Sequence, residues 1–469
     1  MISLFNNNFI KKLNNDWIFE YMIVMIYLIA GALGWVYSFS IIGMVSVILS
    51  ILLLFIFNDF KYIIPAGLML IFSYNGGYES GSIPSEVVMY AGLLIGIIVL
   101  YSIFNFKLGN LRKPKSFIGI VLLAISCIIP IFWNKVITEE TKLLYFVYFG
   151  WVLYVVIYFI FGISLGKNSL RMTIFTLSSL SLLLSFECLY KVMEIMKNNP
   201  NENLLSLMYY LGWGLCNEAG IMICFALPFV FYEIIKSNNP IISALAITKA
   251  FIAMVGILLT TSRGAFLFGA IEFVTLTILM VIFSKKKITN IVFYLLFVLL
   301  GCLFIHLNYG FDKLFEDIKN YIFHNGMSDN GRKELWDRAI KCWSESPKNK
   351  IFGSGIVSEI EKRFSFNGDD NVYIVYHSTF FETLAMGGIV GVCALCFHFF
   401  EKYKQLWKKE IPFVLVMLVG YLIVDAYGMI DNTYGMYYYM IPLVILMAAL
   451  DNDRNTDIFN STYVFESNS

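Results

Sequence analysis

Long apolar runs without charged residues recur from one end of the chain to the other. At roughly 17–22 residues, each run is long enough for a helix to cross the ~30 Å hydrocarbon core of a bilayer. Lipid offers the backbone no hydrogen-bonding partner, so runs of this length are expected to be α-helices. Strands of a membrane barrel would be about half as long and would alternate polar with apolar residues. The pattern therefore predicts an all-α polytopic membrane protein.

The polar interruptions between the runs give the number and position of the spans. The charge-free stretch from Tyr21 to Phe57 is too long for one crossing, so we expect two helices joined by a tight turn near Gly34–Ser40. Further spans are expected near residues 62–75, 87–106, 117–135, 143–164, 172–190, 213–235, 241–261, 264–284, 290–308, 383–400, 411–428 and 433–449. The total is about 14 transmembrane helices, within a range of about 12–14.

Composition supports a membrane protein and argues against several other classes. Hydrophobic residues make up 59% of the chain and charged residues 14%, whereas a soluble domain carries about 25% charged residues. A net charge of +1, with no basic tract interleaved with aromatics, gives no indication of nucleic-acid binding. The eight cysteines follow neither a disulfide nor a zinc pattern, and we expect no cofactor or metal. We also expect no removable signal peptide.

Lysine and arginine concentrate in alternate loops, which orients the helices. The basic loops are those at Lys11–Lys12, Lys107–Lys115, Lys167–Arg171, Lys285–Lys287 and Lys402–Lys409. Basic loops face the cytoplasm, so both termini are predicted to be cytoplasmic. Because successive spans cross the membrane in opposite directions, the turn Thr261–Gly264 and the segment 309–382 are predicted to lie on the extracytoplasmic side.

The chain divides accordingly into five parts. Residues 1–204 are expected to be N-terminal transmembrane helices, residues 205–308 further helices with an S-R-G turn, and residues 309–382 one large extracytoplasmic loop. Residues 383–450 are expected to form the C-terminal transmembrane helices, and residues 451–469 a cytoplasmic tail.

Within the loop, the spacing predicts a short amphipathic helix that begins near Arg332. The apolar positions that share one face are Leu335, Trp336, Ala339, Ile340 and Trp343. That face is expected to lie on the membrane surface or on the helix bundle.

Two arginines are candidates for binding an anion. Arg263 lies in a tight turn between two spans, where Gly264 permits close approach of a ligand. Arg332 follows Gly331 at the start of the loop helix. A guanidinium held near the membrane surface can grip a phosphate through two parallel hydrogen bonds. The alternatives are an arginine that anchors a helix end for Arg263 and an ordinary solvated arginine for Arg332.

A histidine at the mouth of a span is the candidate for proton transfer. His377 stands where the large loop runs into the next helix, and Glu382 follows five residues later. An imidazole at this place can serve as a general base near neutral pH, and we count Glu382 with it as a catalytic candidate. The alternative is a polar cap at the interface. The other three histidines lie in apolar stretches or stand isolated in the loop.

Charged residues within the spans form a further group of candidates, because charges at membrane depth are costly. They are Glu187, Lys191, Glu218, Lys249, Glu272 and Asp425. Glu187 and Lys191 are spaced to pair with each other, and Lys249 is expected to be the structural partner of one of the acids. Asp425 and Asp431, near the outer end of their span, are the better placed acids for a functional role.

The order of these motifs along the chain carries more information than any one of them. An S-R-G turn comes first, and one hairpin later a large loop opens with G-R-x-x-x-W, passes Gly353-Ser354-Gly355, and closes with H-x-x-x-x-E-x-x-x-x-G-G-I-x-G. The series resembles the O-antigen ligase and O-antigen polymerase (Wzy-type) superfamily of bacterial envelope enzymes. The resemblance covers about residues 205–400, including the stretch Gly212–Gly220.

The resemblance implies a membrane-embedded glycosyltransferase with a GT-C-like architecture. Its donor would be a glycan on undecaprenyl pyrophosphate, and its acceptor a sugar hydroxyl. Arg263 and Arg332 would bind the donor pyrophosphate, and His377 would activate or orient the acceptor. Two arginines can stabilise a pyrophosphate leaving group without a metal, and displacement with a base on the opposite face would invert the linkage.

The leading hypothesis is a polymerase that joins repeat units of an O-antigen or capsule polysaccharide on the outer face of the bacterial cytoplasmic membrane. The first alternative is a ligase that moves a finished glycan from the same donor to a lipid or protein acceptor. A polysaccharide transporter or flippase, and a structural membrane protein, are weaker alternatives. Expected partners are the lipid-linked donor, a glycan or lipid acceptor and membrane lipids, with a chain-length regulator as a candidate protein partner.

Overall fold

The computed structural model describes residues 8–37, 39–75, 85–105, 108–132, 142–199, 207–308, 331–355, 376–453 and 455–459, with isolated positions between 312 and 319. Within these ranges the secondary structure is helical, and no strand forms. The nearest approach to a strand is one isolated antiparallel bridge between Tyr210 and Leu215.

The helices follow one another along the chain with short connections. In chain order they are α1 (Asn8–Asn14), α2 (Trp17–Tyr37), α3 (Phe39–Phe57), α4 (Ile63–Phe72), α5 (Ser85–Phe104), α6 (Phe117–Ile128), α7 (Lys142–Ser164), α8 (Ser169–Asn198), α9 (Cys216–Lys236), α10 (Pro240–Leu259), α11 (Arg263–Phe283), α12 (Lys287–Asn308), α13 (Arg332–Ser344), α14 (Pro347–Phe352), α15 (Thr379–Lys404), α16 (Ile411–Gly428) and α17 (Tyr437–Asn452).

Every span expected from the sequence coincides with one of these helices. In the described part of the chain, seven are long and apolar enough to cross a membrane: α2, α8, α9, α10, α11, α15 and α16. Each of the other apolar helices provides a stretch of 10–17 residues over the positions whose side chains the structure describes. The prediction of an all-helical, multi-span membrane protein is confirmed, whereas the number of about 14 crossings stays a prediction. Of the expected loop 309–382, the structure describes mainly residues 331–355 and 376–382.

Helix α9 lies at the centre of the bundle. Its most apolar stretch is 94% buried, because the helix is apolar on all sides and packs against α8, α10, α11 and α16. Pro228, inside α9, faces Gly420 of α16, where a Cβ atom would lie 2.3 Å from Pro228 Cγ. The two helices therefore meet at a point that only glycine permits.

Buried ion pairs connect helices that are far apart in sequence. Arg171 of α8 contacts both carboxylate oxygens of Glu20 on α2, at 2.5 and 2.8 Å. Lys61, from the turn before α4, lies 2.8 Å from the same carboxylate. Because charges buried in a bundle are retained only when paired, this triad fixes the relative position of three chain segments.

Several of the charged residues within the spans have partners, though not always the expected ones. Lys249 Nζ lies 2.8 Å from Glu233, so it does have an acidic partner. The predicted pair of Glu187 with Lys191 is wrong. Glu187 instead accepts a hydrogen bond from the indole of Trp213 at 2.8 Å, because its side chain points into the bundle. Lys191 is partly exposed and pairs with Glu194.

Asp425, one of the two acids predicted to be better placed for a functional role, belongs to a structural cluster. Lys402 Nζ lies 2.6 and 2.7 Å from its two carboxylate oxygens, and Tyr434 and Tyr403 donate their hydroxyl protons to it. The lysine is fully buried among aromatic rings. Each charged atom of this pair is satisfied within the protein.

Helix α15 begins earlier than the expected span 383–400 and is broken near its start. Gly388 has φ +63°, which interrupts the helical hydrogen bonds and leaves the carbonyls of Ala385 and Met386 without helical partners. Those carbonyls accept hydrogen bonds from the backbone N–H groups of Ser354 (2.8 Å) and Gly355 (3.1 Å). The loop therefore completes the backbone hydrogen bonding of the broken helix.

The amphipathic loop helix α13 forms as predicted and packs on α15. Ala339 is buried there, and the Trp336 ring stacks on Phe381 at a centroid distance of 5.2 Å. The predicted apolar face is wrong at Ile340, which is 40% exposed, because the buried stripe runs through Ala339 and Cys342 instead.

The start of the expected cytoplasmic tail is part of the bundle. Phe459 packs edge-on against Trp17 at 5.1 Å, and Ile458 is fully buried. Residues 460–469 of that tail lie outside the described residues.

Candidate active site

An acidic residue between α16 and α17 contacts the histidine singled out from the sequence. Asp431 Oδ1 lies 3.1 Å from His377 Nδ1 and also accepts the backbone N–H of Asn432 at 2.8 Å. The Asp431 N–H donates to the carbonyl of Tyr427, which closes the end of α16. His377 has φ +47°, an uncommon conformation for a non-glycine residue, just before the Ser378 cap of α15.

The same carboxylate reaches the arginine at the start of α13. Arg332 Nη2 lies 3.7 Å from Asp431 Oδ2, so the two form an ion pair without a hydrogen bond. The arginine side chain is 28% exposed and that of Asp431 is 15% exposed. Asp431 therefore stands between Arg332 and His377, one carboxylate oxygen toward each. An anionic ligand can compete with it for the guanidinium.

The turn that carries Arg263 joins this group through Tyr427. Ser262 caps α11, because its hydroxyl accepts the N–H of Ala265, and its Oγ lies 3.1 Å from the Tyr427 hydroxyl. Gly264 faces the same ring, and a Cβ there would lie 2.7 Å from Tyr427 Cε2. Arg263 is the half-buried first residue of α11. The structure thus brings the S-R-G turn to the end of the bundle that holds the His377–Asp431 pair.

Glu382 holds the two chain segments of the site together. It is 7% exposed, and its Oε2 accepts the backbone N–H of Tyr376 (3.0 Å) and the side-chain amide of Asn432 (3.4 Å). The first donor precedes His377 and the second follows Asp431. These contacts give Glu382 a positioning part, and its expected catalytic part stays a prediction.

The segment before α9 contacts the end of α10, just before the S-R-G turn. The Tyr209 hydroxyl donates to the carbonyl of Leu259 at 2.8 Å. Burial raises the pKa of Tyr209 far above that of a free phenol, so the group is a neutral donor. Glu218, in the first turn of α9, accepts the N–H of Leu215 at 2.8 Å.

The arrangement offers an anion site beside a base. Guanidinium groups bind phosphate oxygens, and an imidazole whose Nδ1–H is held by a carboxylate presents Nε2 for accepting a proton. Among the described residues, no group of three or more histidine, cysteine or acidic side chains gathers as metal ligands.

The sequence predicted the two arginines and the histidine of the site. It indicated Asp431 only as an acid near the outer end of a span, and it gave no indication of Tyr427 or Asn432. The signal available for Asp431 and Asn432 was the short polar stretch 431–433 between two apolar spans, on the same predicted side as the large loop, and Tyr427 lies four residues before it. The partners themselves lie about 50 to 165 residues away along the chain: His377 for Asp431, Glu382 for Asn432 and Ser262 for Tyr427.

Comparison with known proteins bears on one part of the chain. Residues 249–396, about a third of the sequence, match the family model described as O-Antigen ligase (Wzy_C). A comparison with curated proteins finds no match. The matched segment runs from α10 into α15 and contains Arg263, Arg332, His377 and Glu382.

The match bears on activity at the level of the family. That family implies a membrane glycosyltransferase-like ligase or polymerase activity, and its members act on lipid-linked glycans. Together with the apolar helices it indicates a multi-pass membrane protein. Residues 249–396 therefore match the O-antigen ligase family, and the relationship to the O-antigen ligase and polymerase superfamily that the motif order predicts is confirmed.

Proposed function

We propose that this protein is a surface-polysaccharide polymerase of the O-antigen or capsule type. It transfers a glycan from undecaprenyl pyrophosphate to a sugar hydroxyl of another lipid-linked repeat unit. The observation that carries the proposal is the placement of Asp431 between Arg332 and His377. The two contacts of Asp431 place an anion-binding group next to a proton acceptor. A hydroxyl that displaces a pyrophosphate requires both groups.

The arginines act on the leaving group. As the bond between the anomeric carbon and the pyrophosphate oxygen breaks, the electron pair passes to that oxygen. Arg332 exchanges its loose contact with Asp431 for the pyrophosphate, and Arg263 binds from the S-R-G turn. Guanidinium groups in a site shielded from water stabilise such a developing charge strongly, so this chemistry requires no metal.

His377 acts on the acceptor. The hydroxyl oxygen of the acceptor sugar forms the new bond to the anomeric carbon, and its proton passes to His377 Nε2. Asp431 orients the ring by accepting Nδ1–H and then stabilises the imidazolium. Attack opposite the leaving group inverts the anomeric configuration. On the predicted orientation the reaction takes place on the extracytoplasmic face of the cytoplasmic membrane, with both termini in the cytoplasm.

A ligase that transfers the finished glycan to a lipid or protein acceptor is the second candidate. The observation that favours it is the match of residues 249–396 to a family described as O-Antigen ligase. Both candidates use the same donor and the same arginine and histidine chemistry, and they differ only in the acceptor.

The test is a reconstitution of the purified protein with undecaprenyl-pyrophosphate-linked repeat units. A ladder of chain lengths, unchanged by EDTA, supports a metal-independent polymerase. Transfer to a lipid A core acceptor without elongation supports the ligase and overturns the polymerase. If the Arg332→Lys and His377→Gln variants transfer glycan as fast as the wild-type protein, the assignment of these residues to the site is wrong, even though the protein is active.

A further inference from the structure

An apolar groove of about 560 Å³ opens between α2, α8, α10 and α12. Its lining is almost entirely hydrocarbon and includes Leu28, Phe186, Ile252, Val255 and Phe297. Ile252 and Val255 are 41% and 51% exposed, so the groove is open along the side of the bundle. A surface of this kind at membrane depth is in contact with lipid chains.

One end of the groove lies next to the turn that carries Arg263. Its lining follows α10 from Thr248 to Leu259, about 16 Å at the helical rise of 1.5 Å per residue. Leu259 is the last residue of α10, and the turn that carries Arg263 begins directly after it. Tyr209 donates its hydroxyl proton to the Leu259 carbonyl, so polar groups begin where the hydrocarbon lining stops.

Close packing of two helices sets the position of the groove. A Cβ atom on Gly256 of α10 would lie 2.1 Å from Ser185 Oγ of α8, so the two helices are in backbone contact at this point. Both residues belong to the lining. The groove is therefore a fixed feature of packed helices rather than a gap between mobile side chains.

An elongated apolar groove with one end next to a turn that carries an arginine fits one kind of ligand, a long hydrocarbon chain with an anionic head. We propose that the groove holds the part of the donor's polyprenyl chain nearest the pyrophosphate, with the pyrophosphate at Arg263. The inference rests on the proposed function for the identity of the head group. It goes beyond that function in assigning the chain to α2, α8, α10 and α12.

The experiment fills the groove and compares two donors. Ile252→Trp and Val255→Trp place indole rings in the groove. Ile271→Trp and Val274→Trp are matched controls on α11, because these residues are 51% and 60% exposed and lie outside the lining. Each variant is assayed with the same glycan on undecaprenyl pyrophosphate and on a pyrophosphate with only two isoprene units.

We expect the groove variants to raise KM for the long-chain donor at least about fivefold, the effect of losing one or two buried methylene contacts. Their kcat, and KM for the short donor, should stay at the wild-type value, and the control variants should match wild type with both donors. An equal loss with both donors, or no loss with either, overturns the inference and leaves the proposed function standing.

A second measurement requires no turnover. Undecaprenyl phosphate carrying a diazirine near its phosphate end is crosslinked to the wild-type protein, and the modified peptides are identified. Adducts within 248–259 that unlabelled undecaprenyl phosphate removes, and phosphatidylglycerol does not, support the inference. Adducts that phosphatidylglycerol removes equally well mean that ordinary lipid occupies the groove, which overturns it. If wild type transfers glycan from neither donor, the proposed function fails and this measurement decides the groove by itself.

Discussion

Asp431 Oδ1 lies 3.1 Å from His377 Nδ1, across 54 residues of sequence that include the whole of α15 and α16. The other carboxylate oxygen is turned toward Arg332. On the proposed function, a pyrophosphate that binds Arg332 would replace Asp431 as its ionic partner, and Asp431 would then contact only His377.

Removing the charge of this carboxylate should impair chemistry more than folding. We expect Asp431→Asn to lower kcat about 10- to 100-fold, because the amide neither fixes the imidazole tautomer nor stabilises its protonated form. The variant is measured in the reconstituted glycan-transfer assay, with Asp337→Asn on the exposed side of α13 as the control. Wild-type kcat in Asp431→Asn would show that the contact with His377 has no part in catalysis.

The pH dependence separates a base from a positioning group. If His377 takes the acceptor proton, wild-type kcat should fall as the pH is lowered and the imidazole becomes protonated before the acceptor binds. His377→Gln should lose about 10²–10⁴ in rate and show no such acid limb in its residual activity. An acid limb that persists unchanged in the glutamine variant assigns the titration to another residue.

Lysine should not replace either arginine of the anion site. Arg263→Lys and Arg332→Lys keep the charge but lose the planar fork that binds two phosphate oxygens, so each should lower kcat/KM at least about tenfold. Lys341→Ala, an exposed charge on the same helix as Arg332, serves as the control in the same assay. Near-normal transfer by both lysine variants would contradict a bidentate grip on pyrophosphate.

The two glycines where the loop meets α15 should tolerate no side chain. At Gly388 (φ +63°) a Cβ would lie 2.6 Å from backbone atoms of Ile351 and Gly353, and at Gly353 (φ +80°) 2.1 Å from the Met386 carbonyl oxygen. We expect alanine at either position to cost more than the ~1–2 kcal/mol of the backbone conformation alone. Thermal unfolding in detergent measures the loss.

The control for these variants is a glycine in open space. Gly301 of α12 has no atom within 4 Å of its ideal Cβ position. Gly301→Ala should leave stability unchanged or raise it by up to about 1 kcal/mol, since alanine favours helix. A comparable loss at Gly301 and Gly388 would remove the argument from close packing.

The buried pair of Lys402 and Asp425 should behave as a unit. Asp425→Ala leaves an unpaired ammonium in the bundle and should cost about 3–5 kcal/mol of unfolding free energy. Replacing both partners, as in Lys402→Met with Asp425→Leu, should recover most of that loss because no charge remains buried. A double variant as unstable as the single one would mean that the pair supplies more than mutual neutralisation.

The helices were predictable because the signal for each lies within one stretch of sequence. Charge-free apolar runs predicted where the helices of the bundle lie, and the spacing around Ala339 predicted the loop helix. The motifs with Arg263, Arg332 and His377 were recognisable because their order along the chain is itself local information.

The contacts of the site depend on residues distant in sequence, and those were not predictable. The spacing of Glu187 and Lys191 favoured a pair along one helix, but the buried acid faces Trp213 from another segment. Nothing near Gly388 shows that its broken hydrogen bonds are completed from residues 354 and 355. Such partners follow from how whole helices pack, which no single window of sequence contains.

The hydrogen bonds between the loop and the broken helix also constrain how the protein can change in evolution or by design. Because Ser354 and Gly355 supply donors that α15 lacks, a foreign loop grafted between α12 and α15 would leave two backbone carbonyls unsatisfied in the bundle. Exchange of this region between related enzymes should succeed only when α14, residues 353–355 and the first turns of α15 are moved together. The loop and the start of α15 should therefore be exchanged together, although the sequence places one in a loop and the other in a membrane span.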